Sequence, residues 1–141
     1  MKGMKKIVFL GLIGFTLIGC SSSPVSNDAA LNVPEQRIYN QDIFIKKENS
    51  GMVIIKRDKG FVSSACSDSL FVDGVKIADL NPAEKVVIYP LLGKRIFSMV
   101  ANGVCGGGMV EVEGDVEKSQ ILTYRIAHSL NGGYGIFRTA F

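Results

Sequence analysis

The chain has 141 residues, a length for one domain, and its 16 lysines and arginines against 13 acidic residues give a formal charge of +3. Lys2, Lys5 and Lys6 precede every other charged residue, and without them the balance is zero. No basic face is left to displace counterions from a phosphate backbone, so nucleic-acid binding is excluded from the reading. Lys46-Lys47, one of the remaining basic pairs, is followed at once by Glu48.

The first element is the stretch from Met1 to Cys20. Three lysines stand before an apolar run from Ile7 to Gly19, the layout of a secretory signal with a cationic n-region and an apolar h-region. The run is shorter than the roughly 20 residues a membrane-spanning helix needs, and Gly11, Gly14, Thr16 and Gly19 interrupt it. Leu17-Ile18-Gly19-Cys20 resembles a bacterial lipobox. That resemblance implies cleavage before Cys20, a lipidated Cys20 thiol and palmitate-type anchoring in a membrane. Two or three acyl chains hold stably where one binds only reversibly. Ser21 is not the aspartate that resembles an inner-membrane retention signal, so the implied location is the outer membrane, on its periplasmic face.

With Cys20 lipidated, Cys66 and Cys105 remain as a pair in an oxidising compartment, and a disulfide is expected. The chain-entropy model gives such a bridge, closing a loop of about 40 residues, roughly 4 kcal/mol. There is no Cys-x-x-Cys redox motif.

Residues 20–36 are polar and turn-prone and read as a flexible tether ahead of a domain spanning 37–141. Residues 37–47 hold Ile38, Tyr39, Ile43, Phe44 and Ile45, fitting a short strand or a helical turn. From Gly51 the pattern becomes short β runs separated by turns. The first is 52–57. Next come 69–72 and 75–78 around Asp73-Gly74, the favoured pair for a type I′ turn because both central residues need positive φ. That turn sets Val72 opposite Val75 and Leu70 opposite Ile77, all four on one face, with Cys66 inward by parity. Asn81-Pro82 breaks the pattern. Further runs follow at 84–89, 95–100, 109–113, 120–127 and 134–141, with turns at 90–93 and 114–119 and a glycine-rich loop at 101–108. Seven or so strands without an amphipathic helix predict an all-β chain, a small antiparallel β-sandwich with one disulfide.

Val72-Asp73-Gly74, then Asn81-Pro82-Ala83-Glu84-Lys85-Val86, then Pro90 with Gly93 resemble PEGA-type domains and related small bacterial lipoproteins over residues 51–127. The spacing departs by one residue, because Leu91-Leu92 separate Pro90 from Gly93. The resemblance implies an envelope module and brings no catalytic residue.

The chemistry-bearing residues are few. His128 is the only histidine, and Ser67 or Ser129 would complete a Ser-His-Asp set only without a nucleophile-elbow motif, so His128 reads as a polar surface or packing residue. With two cysteines paired, the ligands for zinc run out. Asp68 and Asp79 would oppose each other if the hairpin ran one pair longer, and the simpler reading is that pairing stops there. No metal and no cofactor is expected. Gly106-Gly107-Gly108 offers backbone amides for an anion but reads first as a tight turn that lets the disulfide close. Together with Phe61, these glycines form the candidate partner contact, expected on membrane-distal loops pinned by the bridge. The terminal Phe141 resembles an outer-membrane barrel signal, but the strands are too short for a barrel. The expected function is a membrane-anchored, non-enzymatic binding or structural module that meets an envelope protein partner. The alternative is a periplasmic inhibitor or immunity lipoprotein that blocks an enzyme or toxin.

Overall fold

A computed structural model describes residues 22–141, so Cys20 and the lipobox lie outside the described residues. Period-2 alternation builds two sheets. Val53 and Ile55, Leu70 and Val72, Val86 and Ile88, Phe97 and Met99, and Leu122, Tyr124 and Ile126 all turn inward and are buried together. Each such aliphatic side chain contributes about 1.5–3 kcal/mol when fully buried. The strands are β1 (Leu31–Asn32), β2 (Val53–Arg57), β3 (Asp68–Val72), β4 (Val75–Leu80), β5 (Glu84–Ile88), β6 (Gly93–Ala101), β7 (Val110–Val116), β8 (Leu122–His128) and β9 (Tyr134–Arg138). One sheet runs β1-β5-β2-β8-β9 and the other β4-β3-β6-β7. The expected all-β sandwich with a Cys66–Cys105 bridge is present, the two Cα atoms 6.1 Å apart. Among the described residues there is no α-helix; the 37–47 stretch forms 3₁₀ turns at Glu35–Arg37 and Asp42–Phe44 that rest Ile38, Ile43 and Phe44 on the core.

Several local expectations are corrected. The polar stretch 22–36 is packed rather than a free tether: Val25, Ala30 and Val33 are buried, and β1 pairs with the edge of β5. Small apolar side chains spaced through polar sequence suffice to dock it. The sheet containing β2 is mixed, because β2 runs parallel to β8 and β1 parallel to β5. The Asp73-Gly74 turn has both φ values positive, 48° and 80°. However, a bulge between Leu70 and Phe71 sets Leu70 opposite Ala78 instead of Ile77, and Val75 stays exposed at the turn. The same shift puts Asp79 opposite Ser69 and Asp68 opposite Leu80, so the two carboxylates do not meet. Gly114 is no turn: β7 continues to Val116, and a Cβ at 114 would collide with the Tyr124 hydroxyl.

All strand ends gather at two poles. One pole holds the loops 59–67, 102–109 and 129–133. The other holds the Asp73-Gly74 hairpin and the loops 45–52, 89–92 and 117–121.

Candidate functional site

The first pole is built on three charged or titratable residues that alternation sends inward. Arg57 follows Val53 and Ile55 on the core face of β2. Asp68 precedes Leu70 and Val72 on β3. His128 ends the series Leu122, Tyr124, Ile126 on β8. Arg57 is 1% exposed, Asp68 0% and His128 5%. Groups of this kind stay buried only when paired. Asp68 Oδ2 lies 3.0 Å from Arg57 Nε and 2.8 Å from His128 Nε2, joining the two sheets; Asp68 Oδ1 has no hydrogen-bond partner among the described residues.

Arg57 uses its remaining donors on the loop above it and on the end of β4. Nη1 donates to the carbonyls of Cys66 (2.6 Å) and Leu80 (3.0 Å), and Nη2 to that of Ser63 (2.7 Å). Burial pushes the guanidinium below its ordinary pKa, opposed by the charge of Asp68 and then Glu84. The guanidinium remains the cation of the pair. The Tyr134 ring lies 5.6 Å from that of His128, and its hydroxyl donates to Gly108 O at 2.6 Å. A Cβ on Gly107 would come within 2.6 Å of that hydroxyl, so the glycine admits Tyr134. Asn102 donates to the Ser67 hydroxyl (2.9 Å), and the disulfide closes the frame. Phe61, Gly106, Gly107 and Gly108 thus share one pole, as expected, but Gly107 is a packing position beneath Tyr134. Phe61 is 88% exposed.

No serine hydroxyl among the described residues hydrogen-bonds the His128 ring. Ser129 Oγ donates within its own turn, and Ser67 Oγ accepts from Asn102. Histidine, aspartate and arginine here form a buried cluster that joins the two sheets.

The chain matches no family model, no curated protein and no solved structure.

The same pole also receives the start of the described chain. Ser22 N donates to His128 O, and Ser22 Oγ accepts from His128 N at 3.0 Å and lies 3.2 Å from Asp58 Oδ2. Ser23 and Lys59 exchange two backbone hydrogen bonds, 2.7 and 3.0 Å. Asp58 is buried and is bound by Arg125, whose pKa is raised by that bond. Cys20 is two residues ahead of Ser22. The loops 59–67, 102–109 and 129–133 therefore share their pole with Ser22, the first described residue. Arg57, Asp68 and His128 were not among the residues expected inward, although strand parity carried one step further is the signal that finds them. No sequence signal pointed to Ser22, whose role depends on how β8 sits against β2.

The opposite pole has a different composition. A cleft beside the hairpin is lined by Ile43, Val75, Tyr89 and Leu91, with Asp73 and Arg95 at its rim. Arg95 reaches Asp73 Oδ2 at 3.1 Å, and Asp73 Oδ1 accepts from Ile96 N at 2.9 Å, which stiffens the turn.

Proposed function

We propose that the protein is a bacterial outer-membrane lipoprotein, anchored through Cys20 and facing the periplasm, that acts without catalysis as a binding or structural module. The observation that carries this reading is the fixed position of Ser22. With the chain held to the sandwich two residues after Cys20, an anchor there would hold the whole domain in one orientation, with the hairpin pole pointing away from the bilayer. That pole is where an envelope protein would dock: Val75 and Leu91 are exposed beside the cleft, and Asp73 and Arg95 give it a polar rim.

The test is fatty-acid labelling of cells making the wild type or Cys20→Ser. Serine has no thiol to acylate, so label should vanish in the variant, and the wild type should fractionate with the outer membrane. Equal labelling sinks the anchor. A photo-crosslinking residue at Leu91 should then give a discrete protein adduct, and its absence removes the hairpin pole as the docking surface.

A further inference from the structure

We propose that the pole bearing Phe61, Val104 and Leu130 is a bilayer-docking surface whose tips enter the headgroup–acyl boundary. The proposal rests on the anchored reading above and adds a second contact to it.

Three loops present large apolar side chains to solvent: Phe61 at 88% exposure, Val104 at 99% with Met109 on the same loop at 47%, and Leu130 at 63%. Exposed apolar residues also occur at the hairpin pole, but there they stand among charges, whereas on these neighbouring loops almost none accompanies them. The loops 59–67, 102–109 and 129–133 contain a single charged residue, Lys59, and it is cationic. An uncharged apolar tip set with one lysine suits an anionic or zwitterionic lipid surface. A protein partner would meet no directional charge there.

The position of the membrane follows from the chain itself. Ser22 and Ser23 are hydrogen-bonded to this pole, through His128 and Lys59. Two residues of extended backbone reach about 7 Å, so a lipid on Cys20 enters the bilayer close beside these tips. The loops are also held in place before they meet the surface. Arg57 fixes the carbonyls of Ser63 and Cys66, Tyr134 fixes that of Gly108, and the disulfide ties the first two loops together. Little conformational freedom remains to be lost on docking.

The chain has no tryptophan, so a single Trp is a clean reporter. Full-length Phe61→Trp, Val104→Trp, Leu130→Trp and, at the other pole, Leu91→Trp are placed with phosphatidylethanolamine–phosphatidylglycerol vesicles containing brominated acyl chains. A tip in the interface should lose about half its emission or more to the bromines, and shift to the blue, while Leu91→Trp stays unquenched. Equal quenching at both poles, no quenching at either, or a blue shift at the tips without quenching (burial against protein) would overturn the proposal. Acyl chains on Cys20 are read separately from the intact mass. A bare Cys20 with quenched tips would sink the anchor and keep the surface; an acylated Cys20 with unquenched tips would do the reverse.

Discussion

The two poles of the sandwich solve the same problem of closing β-strands with opposite materials. At the pole where the described chain begins, charge is inside and apolar side chains are outside: Arg57, Asp68, Asp58 and His128 are buried while Phe61, Val104 and Leu130 face solvent. At the hairpin pole, Lys46, Lys47, Glu48, Asp73, Glu117 and Lys118 punctuate the surface, and the apolar Ile45, Val75, Leu91, Leu92 and Ile121 lie among them. Loops that bury their ionic groups must be held by them, and Arg57 binds three carbonyls at once. Loops with solvated charges need only their turn chemistry. The first pole is therefore rigid and inverted, and the second conventional.

The largest expected effect breaks the first pole from within. Asp68→Ala leaves Arg57 buried and unpaired, which should cost about 3–5 kcal/mol in a denaturant melt. Removing the bridge with Cys66→Ala and Cys105→Ala should cost roughly 2–4 kcal/mol under oxidising conditions while leaving the Arg57–Asp68 pair to hold the loop. If Asp68→Ala loses nothing while the double variant loses roughly 2–4 kcal/mol, the bridge and not the ion cluster sets this pole.

At the hairpin pole the effects should be smaller. Gly74 sits at φ +80° with open space around its Cα, so Gly74→Ala meets only backbone strain, about 1–2 kcal/mol. Its melt should fall by that amount, with tip quenching in brominated vesicles unchanged. A loss as large as that of Asp68→Ala would mean the poles are coupled through the sheet.

The smallest effect appears only in acid. Burial pushes the Asp79 carboxyl up, but hydrogen bonds from Ser69 (2.6 Å), Tyr39 (2.6 Å) and Lys76 (3.1 Å) outweigh it and hold the pKa below the ordinary value. A carboxylate whose folded pKa is lowered adds stability that is present above its ordinary value, near pH 4, and is lost as pH falls through the lowered one. Denaturant midpoints should drop over that acid window in the wild type and drop less in Asp79→Asn. Identical slopes would show that the three donors do not act on this carboxyl.

Much of this division was legible in the residues. Strand parity from Leu70 and Val72 turned Cys66 inward, as observed, and the Asp73-Gly74 turn formed as its dipeptide requires. Extending that same parity by one step places Arg57, Asp68 and His128 inward, because a strand face does not change sign when the residue type does. Other features depend on contacts distant in sequence. The bulge at Leu70/Phe71 shifts the hairpin by one residue without any glycine to mark it. Gly114 resembles a turn beside Asp115, yet it lies in a strand because Tyr124 crosses over it. The docking of 22–36 rests on Val25, Ala30 and Val33, too few and too small to mark a packed segment among serines and asparagines. The exposed tips at Val104 and Leu130 lie in loops that read only as turns, and their shared pole emerges from the topology.

The mixed sheet also governs the order in which the domain can assemble. β2 is central, yet its neighbours β5 and β8 both follow it in the chain, and β8 comes last but one. Val53, Ile54 and Ile55 would present an unpaired apolar edge, with Arg57 lacking both Asp68 and the carbonyls above it, until almost the whole polypeptide is available. Pairings of such long range form late and slowly. A chain threaded N-terminus first through a narrow pore could not close this sheet until His128 had passed. The topology therefore penalises truncation ahead of His128 far more than loss of the exposed last residues.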